Sequence, residues 1–162
     1  MSGKPSISFE PANIDLSRLQ GRSRIVIDGD PGSGKTTLSR KLAGHLGAKA
    51  LSVDDYLHED GRPYLEQIKY EKLNREISSF RDTPLIIEGV CLLKALETMG
   101  VRHDFLIFTK QYVHGRREFD DYADPQIPLP KSKLQREIIQ YYRECKPDKI
   151  CDLEGALFID RL

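Results

Sequence analysis

The chain has 162 residues, of which 39% are hydrophobic and 31% charged, with 25 basic residues balanced by 25 acidic ones. That length fits one domain able to bury a core of its own, and the composition excludes disordered and fibrous classes. Zero net charge argues against a protein that grips nucleic acid through phosphate neutralisation, and three cysteines with no Cys-x-x-Cys pair argue against a disulfide framework or a zinc site.

Residues 1–22 read as a leader segment with one helical turn near Asp15–Leu19, and residues 23–162 as the domain. No apolar run reaches the roughly 18 residues of a bilayer span, and Met1-Ser2-Gly3-Lys4-Pro5 lacks a signal peptide's apolar stretch, so no membrane partner and a cytoplasmic setting are expected. Arg24–Asp28 is a β-branched run that predicts a buried strand ending in a glycine-rich segment. Leu38, Leu42, Ala43 and Leu46 recur at helical spacing from Lys35 until Gly47 stops the pattern. Ala50–Val53 predicts a second strand, followed by an acidic stretch from Asp54 to Asp60. Leu65, Ile68, Leu73, Ile77 and Phe80 mark one face of a single helix from about 63 to 80. Leu85–Val90 is the third strand, Leu92–Met99 a short helix ending at Gly100, and Asp104–Thr109 the fourth strand. Pro125, Pro128 and Pro130 forbid helix between 123 and 130 and predict an exposed loop. Leu134, Ile138, Ile139 and Tyr142 predict a helix over about 131–145, and Ala156–Ile159 a last strand. Continuously apolar strands separated by helices imply a parallel sheet covered on both faces. The expected fold is therefore three-layer α/β/α with five parallel strands.

Gly29-Asp30-Pro31-Gly32-Ser33-Gly34-Lys35-Thr36 fits the G-x-x-x-x-G-K-[ST] phosphate loop in full. Its glycines let the backbone wrap an anion with the N–H groups turned inward, and the helix that follows adds positive potential at its N-terminus. Lys35 would reach the β- and γ-phosphates, and the Thr36 hydroxyl would ligate Mg²⁺. A chain of this length matches the pattern by chance roughly once in a few hundred sequences, and here a strand precedes it and a helix follows. ATP with Mg²⁺ is the expected ligand.

Other segments narrow the class. Thr109-Lys110-Gln111-Tyr112 has Tyr where a guanine-reading motif needs Asp, and Glu88-Gly89 has no Asp before it to form the Asp-Glu pair of motor ATPases. Asp54 and Glu88 both fall at carboxyl ends of strands, the edge of a parallel sheet where ligands bind. Phosphoryl transfer needs a carboxylate beside the acceptor hydroxyl and acidic or hydroxyl oxygens near a metal, and Asp54, Glu88 and Thr36 have that chemistry.

Ile27-Asp28-Gly29 through Lys35-Thr36-Thr37, Leu51-Ser52-Val53-Asp54-Asp55-Tyr56 and Ile86-Ile87-Glu88-Gly89-Val90 together resemble the uridine kinase and phosphoribulokinase branch of P-loop kinases. In that branch a Ser-x-Asp-x-Phe/Tyr segment follows the second strand, and Ile-Ile-Glu-Gly forms the third. Tyr141-Tyr142 and Pro147-x-x-x-Cys151-Asp152 echo the stretch before the last strand, so the resemblance spans about residues 22–160. It implies an ATP-dependent kinase acting on a small hydroxyl-bearing substrate such as a nucleoside or other sugar-like metabolite. By position it makes Asp54 the catalytic base, with Asp55 the competing position, and Glu88 the metal-side carboxylate. Tyr56 would wall the acceptor pocket, and Arg62 and Tyr64 lie where an acceptor-contacting loop would be.

Kinases of this type close an Arg-bearing lid that excludes water. Arg116 and Arg117 have the right chemistry, with a solvated, acid-paired helix face as the alternative, and Arg136 and Arg143 share a face of the next helix. The family's Arg-Asp pair and later Arg-Gly-Arg stretch are replaced here by Phe119-Asp120 and Asp124-Pro125-Gln126-Ile127-Pro128. Adenine recognition offers only Arg161 near the last strand. Two alternatives stand beside the kinase: a nucleotide-binding regulatory module with little transfer activity, and simple nucleotide hydrolysis, for which no water-positioning Gln is evident.

Overall fold

A computed structural model describes residues 6–8 and 14–159, the first three by their backbone alone. Arg161 lies outside the described residues. Strands β1 (Ser6–Ser8), β2 (Arg24–Gly29), β3 (Lys49–Ser52), β4 (Leu85–Gly89), β5 (Phe105–Val113) and β6 (Leu153–Ile159) form one sheet in the order β1-β6-β5-β2-β4-β3. Every pairing is parallel. The five predicted strands are all present, and β1 adds a short sixth at the edge beside β6, from within the segment read as a leader. Helices α1 (Lys35–Leu46), α2 (Tyr64–Gln67), α3 (Tyr70–Ser79), α4 (Leu92–Met99), α5 (Lys133–Cys145) and α6 (Pro147–Ile150) connect them. None is long and apolar enough to cross a membrane.

Strand alternation sorts the core into two layers. Ile25 and Ile27 of β2, with Ile86, Phe105 and Ile107, pack against Leu38 and Leu42 of α1 and against Ile14 and Leu19 of the N-terminal segment. Val26, Leu85, Ile87, Leu106 and Phe108 face the other way, onto Leu73 and Ile77 of α3, Leu92 and Leu96 of α4, and Ile138 and Tyr141 of α5. A sheet buried on both faces explains why its strands read as unbroken apolar runs.

Three elements differ from expectation. The single helix over 63–80 is two helices, because Ile68 is extended (φ −67°, ψ 128°) and pairs antiparallel with Leu57. His58 N–H donates to the Gln67 carbonyl at 2.8 Å and Lys69 N–H to the Tyr56 carbonyl at 2.7 Å. These bonds, with Ile68 only 3% exposed, outweigh the helical periodicity on either side. β5 runs four residues past Thr109 and β6 starts at Leu153, and Lys110 and Glu154 pair across them at 2.8 Å. Those partnered charges sit at positions where sequence polarity signals a strand's end. Val53 begins a 3-10 turn to Tyr56 instead of closing β3. The proline-rich segment 123–130 is a loop, as expected.

β2 lies at the middle of the five long strands, between β4 and β5. The chain after it travels to one edge of the sheet and later crosses to the other side. That reversal opens a crevice at the carboxyl ends of β2, β3 and β4, where ligands of parallel sheets bind.

Candidate active site

The phosphate loop leaves the carboxyl end of β2 and opens α1. Gly29 is the tightest point: a Cβ there would stand 2.2 Å from both the carbonyl oxygen and Oγ1 of Thr109, so only glycine fits. Gly32 (φ +69°) and Gly34 (φ +84°) supply the left-handed turns that curl the loop. Gly34 is also the N-cap of α1, whose first N–H groups have no partner within the helix. The curl thus gathers backbone donors at a helix N-terminus, which suits an anion.

Lys35, Thr36, Thr37, Asp54, Tyr64 and Glu88 line one cleft of about 410 Å³ with Pro31, Gly32 and Gly34 of the loop, and Val90, Leu134 and Leu157 complete it. Thr36 Oγ1 donates to Glu88 Oε1 at 2.8 Å, joining two of the three groups, Thr36, Glu88 and Asp54, that the sequence reading placed near a metal. Asp54 Oδ1 accepts from the Tyr64 hydroxyl at 2.8 Å. Burial, then the charge and hydrogen bond of Asp54, push the Tyr64 hydroxyl well above its ordinary range, so it stays a donor. Asp55 is exposed and does not line the cleft. Lys35 is 7% exposed, and its Nζ donates to the Asp30 carbonyl at 2.6 Å. Burial draws its pKa down, while the charges of Glu88, Asp28, Asp30 and Asp54 act to keep the proton on. Four acids beside the cradle thus act on Lys35, and one of them, Asp30, is also paired with Arg117.

Other predicted residues lie elsewhere. Tyr56 packs under Lys72, whose Nζ is 5.7 Å from its ring centroid, and Arg62 pairs with Asp60 at 2.6 Å on the surface; neither lines the cleft. Arg116 is exposed and pairs with Asp121 at 2.5 Å, lining a second cavity of about 640 Å³ that adjoins the first at Pro31 and Leu134. Arg117 is buried and forks onto Asp30, with Nε to Oδ2 and Nη2 to Oδ1 both at 2.7 Å. Neither arginine lines the cleft of Lys35 and Asp54, which runs counter to the expectation of a lid Arg over the phosphates. The sequence could not reveal this, because the acid that captures Arg117 is 87 residues away. Arg143 holds the proline-rich loop by donating to the carbonyls of Tyr122, Asp124 and Ile127, and Arg136 is exposed on α5.

The sequence reading gave three further groups no role of their own at the site. Glu137 of α5 accepts from the Tyr64 and Leu65 N–H groups at 2.6 and 2.9 Å, capping α2 and so holding Tyr64 against Asp54. Tyr142 donates to Asp30 Oδ1 at 2.7 Å. Asp28 is wholly buried and accepts from Gly29 N–H at 2.8 Å and from the Tyr141 hydroxyl. An acid closing an otherwise apolar strand run was the one available signal.

Burial pushes the Asp28 carboxyl up to about 6, although the bonds from Tyr141, Gly29 and Leu92 and the Lys35 charge oppose the shift. The folded chain then holds this proton more tightly than the unfolded chain, so Asp28's contribution to stability falls as pH rises from about 4 to about 6. In urea titrations across that window, Asp28→Asn is expected to gain stability relative to the unchanged chain as pH rises, whatever constant offset its altered hydrogen bonding adds. A difference independent of pH would contradict this account.

A glycine-rich loop at the switch point of a parallel sheet, with one acid at the end of β4 and another just after β3, gives the three-layer α/β fold of P-loop kinases. Among solved structures the chain is similar to a possible uridine kinase from Bacillus stearothermophilus, with a TM-score of 0.53 and 19% identity over 83% of this chain and 89% of that one. A shikimate kinase from Acinetobacter baumannii in complex with shikimate aligns at a TM-score of 0.48 and 14% identity, over 90% of this chain and 87% of that one. No protein-family model matches the chain, and no curated protein matches it either. At 19% identity the likeness to the first of these is one of fold alone.

Proposed function

We propose that the chain is an ATP-dependent kinase that acts in the cytoplasm and transfers the γ-phosphate to a hydroxyl of a small acceptor, a nucleoside or another sugar-like metabolite. One observation carries this reading: Lys35, Thr36, Asp54 and Glu88 meet in a single cleft at the phosphate loop. The loop's N–H groups and Lys35 bind the phosphates. Asp54 takes the proton as the acceptor oxygen bonds to the γ-phosphorus and the bridging bond to ADP breaks. The Tyr64 hydroxyl holds Asp54 by one oxygen and leaves the other for the acceptor. Tyr64 and Val90 flank the acceptor on the side of Asp54. The Thr36 hydroxyl and the Glu88 carboxylate are hard oxygen donors of the kind that hold Mg²⁺ together with substrate phosphates, with Asp54 beside them in the same cleft. Magnesium, when bound, neutralises charge on those phosphates.

A second reading, a nucleotide-binding regulatory module with little transfer, is favoured by one feature: carboxylates already engage both Arg116 and Arg117. A ³¹P NMR assay of Mg·ATP with pools of nucleosides, sugars and vitamin-like alcohols separates the two. A new phosphomonoester signal establishes transfer and names the acceptor class. Nucleotide binding with only slow hydrolysis across every pool would favour the module.

A further inference from the structure

Asp30 places a negative charge inside a loop built to receive anions. Its two oxygens accept four hydrogen bonds, which saturates them. Arg117 Nε and Nη2 each donate at 2.7 Å, the Tyr142 hydroxyl at 2.7 Å and the Gln111 N–H at 3.0 Å. Asp30 is 1% exposed and Arg117 7%. The guanidinium lies among Phe108, Phe119 and Tyr142, between 5.5 and 5.8 Å from their ring centroids. Its remaining Nη1 donates to Asp120 at 2.9 Å.

The same stretch of loop is tied to β5 at three further points. Asp30 N–H donates to the Thr109 carbonyl at 2.9 Å, Gln111 Nε2 donates to the Gly32 carbonyl at 2.8 Å, and the Ser33 and Thr109 hydroxyls meet at 2.5 Å. Lys35 in turn donates to the Asp30 carbonyl, so the position of residue 30 also sets the cation of the cradle. A planar guanidinium matched to a carboxylate by two parallel bonds fixes orientation as well as charge, which a lysine ammonium does not do.

We propose that Asp30 and Arg117 are a positioning pair for the phosphate loop. Arg117 cancels the acid within the loop and locks its backbone in the anion-receiving form, thereby setting nucleotide affinity, and it does not act on the transferring group. The proposal rests on the reading that this loop holds a nucleotide's phosphates, and it holds whether or not transfer follows.

The test is the Kd of Mg·ATP, read with a fluorescent ATP analogue on the full chain, with circular dichroism to verify folding. Loss of charge-assisted bonds corresponds to roughly 10- to 100-fold in affinity. Arg117→Met leaves the Asp30 carboxylate uncompensated and is expected to weaken binding by at least that much. The double variant Asp30→Asn with Arg117→Met removes the stranded charge and is expected to recover part of the loss, a rescue that a merely structural contact would not produce. Arg117→Lys keeps the charge but loses the fork, and should bind about 10-fold more weakly. If turnover is measurable, kcat at saturating ATP should change far less than KM. Unchanged affinity in Arg117→Met overturns the proposal, as does a double variant no better than the single one. If Arg117→Met does not fold, Arg117→Lys decides alone: unchanged affinity overturns the proposal, and a fall in kcat with KM preserved would in addition make Arg117 a catalytic arginine. Failure of the unchanged chain itself to bind Mg·ATP would sink the nucleotide reading, a result distinct from all of these.

Discussion

Asp54→Asn is expected to reduce phosphoryl transfer by roughly 10²- to 10⁴-fold, the usual contribution of a positioned general base, while Mg·ATP binding stays close to that of the unchanged protein. The substitution is nearly isosteric, and the carboxamide oxygen can still accept from the Tyr64 hydroxyl that holds Oδ1 at 2.8 Å. What disappears is the negative charge and the ability to take a proton. Asp55→Asn is the matched control, because Asp55 is exposed and outside the cleft. Phosphomonoester formation and nucleotide titration on the two variants measure the effect. Retention of transfer in Asp54→Asn, together with its loss in Asp55→Asn, would move the base by one residue. Retention in both would remove this acid pair from the mechanism.

The second large effect is expected at Lys35. Lys35→Met removes the buried cation that faces Glu88, Asp28 and Asp54, acids that then repel an incoming polyphosphate, while Asp30 stays paired with Arg117. Losing its charge-assisted bonds to the phosphates should weaken Mg·ATP binding by roughly 10- to 100-fold. Losing charge stabilisation during transfer should lower kcat by about 10²- to 10³-fold. Asp54→Asn and Lys35→Met therefore differ in kind, one sparing nucleotide affinity and the other abolishing much of it. Equal affinity for Mg·ATP in Lys35→Met and the unchanged protein would contradict the role given to this lysine. Thermal melts without nucleotide guard against misreading a stability loss as a binding defect.

The difference between Asp54 and Arg117 shows what kind of chemistry a sequence reveals. Asp54 is legible because it follows a short strand by two residues, and parallel strands bring their carboxyl ends to one edge whatever their neighbours are. Arg117 is chemically apt for a lid and just as close to polar sequence, yet it is buried on Asp30 under three aromatic rings. Nothing within several residues of either partner encodes that meeting. Tyr64 is similar: its place beside Asp54 depends on α2 being capped by Glu137, over 70 residues later.

The sequence by itself determined the phosphate loop, the alternation of buried strands and helices, and the acids just after β3 and at the end of β4. Each of these follows from local rules: glycine conformations, hydrophobic periodicity, and the carboxyl end that every strand must have. Only the tertiary structure decided that the 63–80 helix breaks at Ile68, that Ser6–Ser8 adds an edge strand, and that Asp28 is buried with a raised pKa. It also decided that Arg117 pairs with Asp30 of the loop. Burial and partner choice over such separations depend on how helices dock against the sheet, and that docking is a property of the whole packed core.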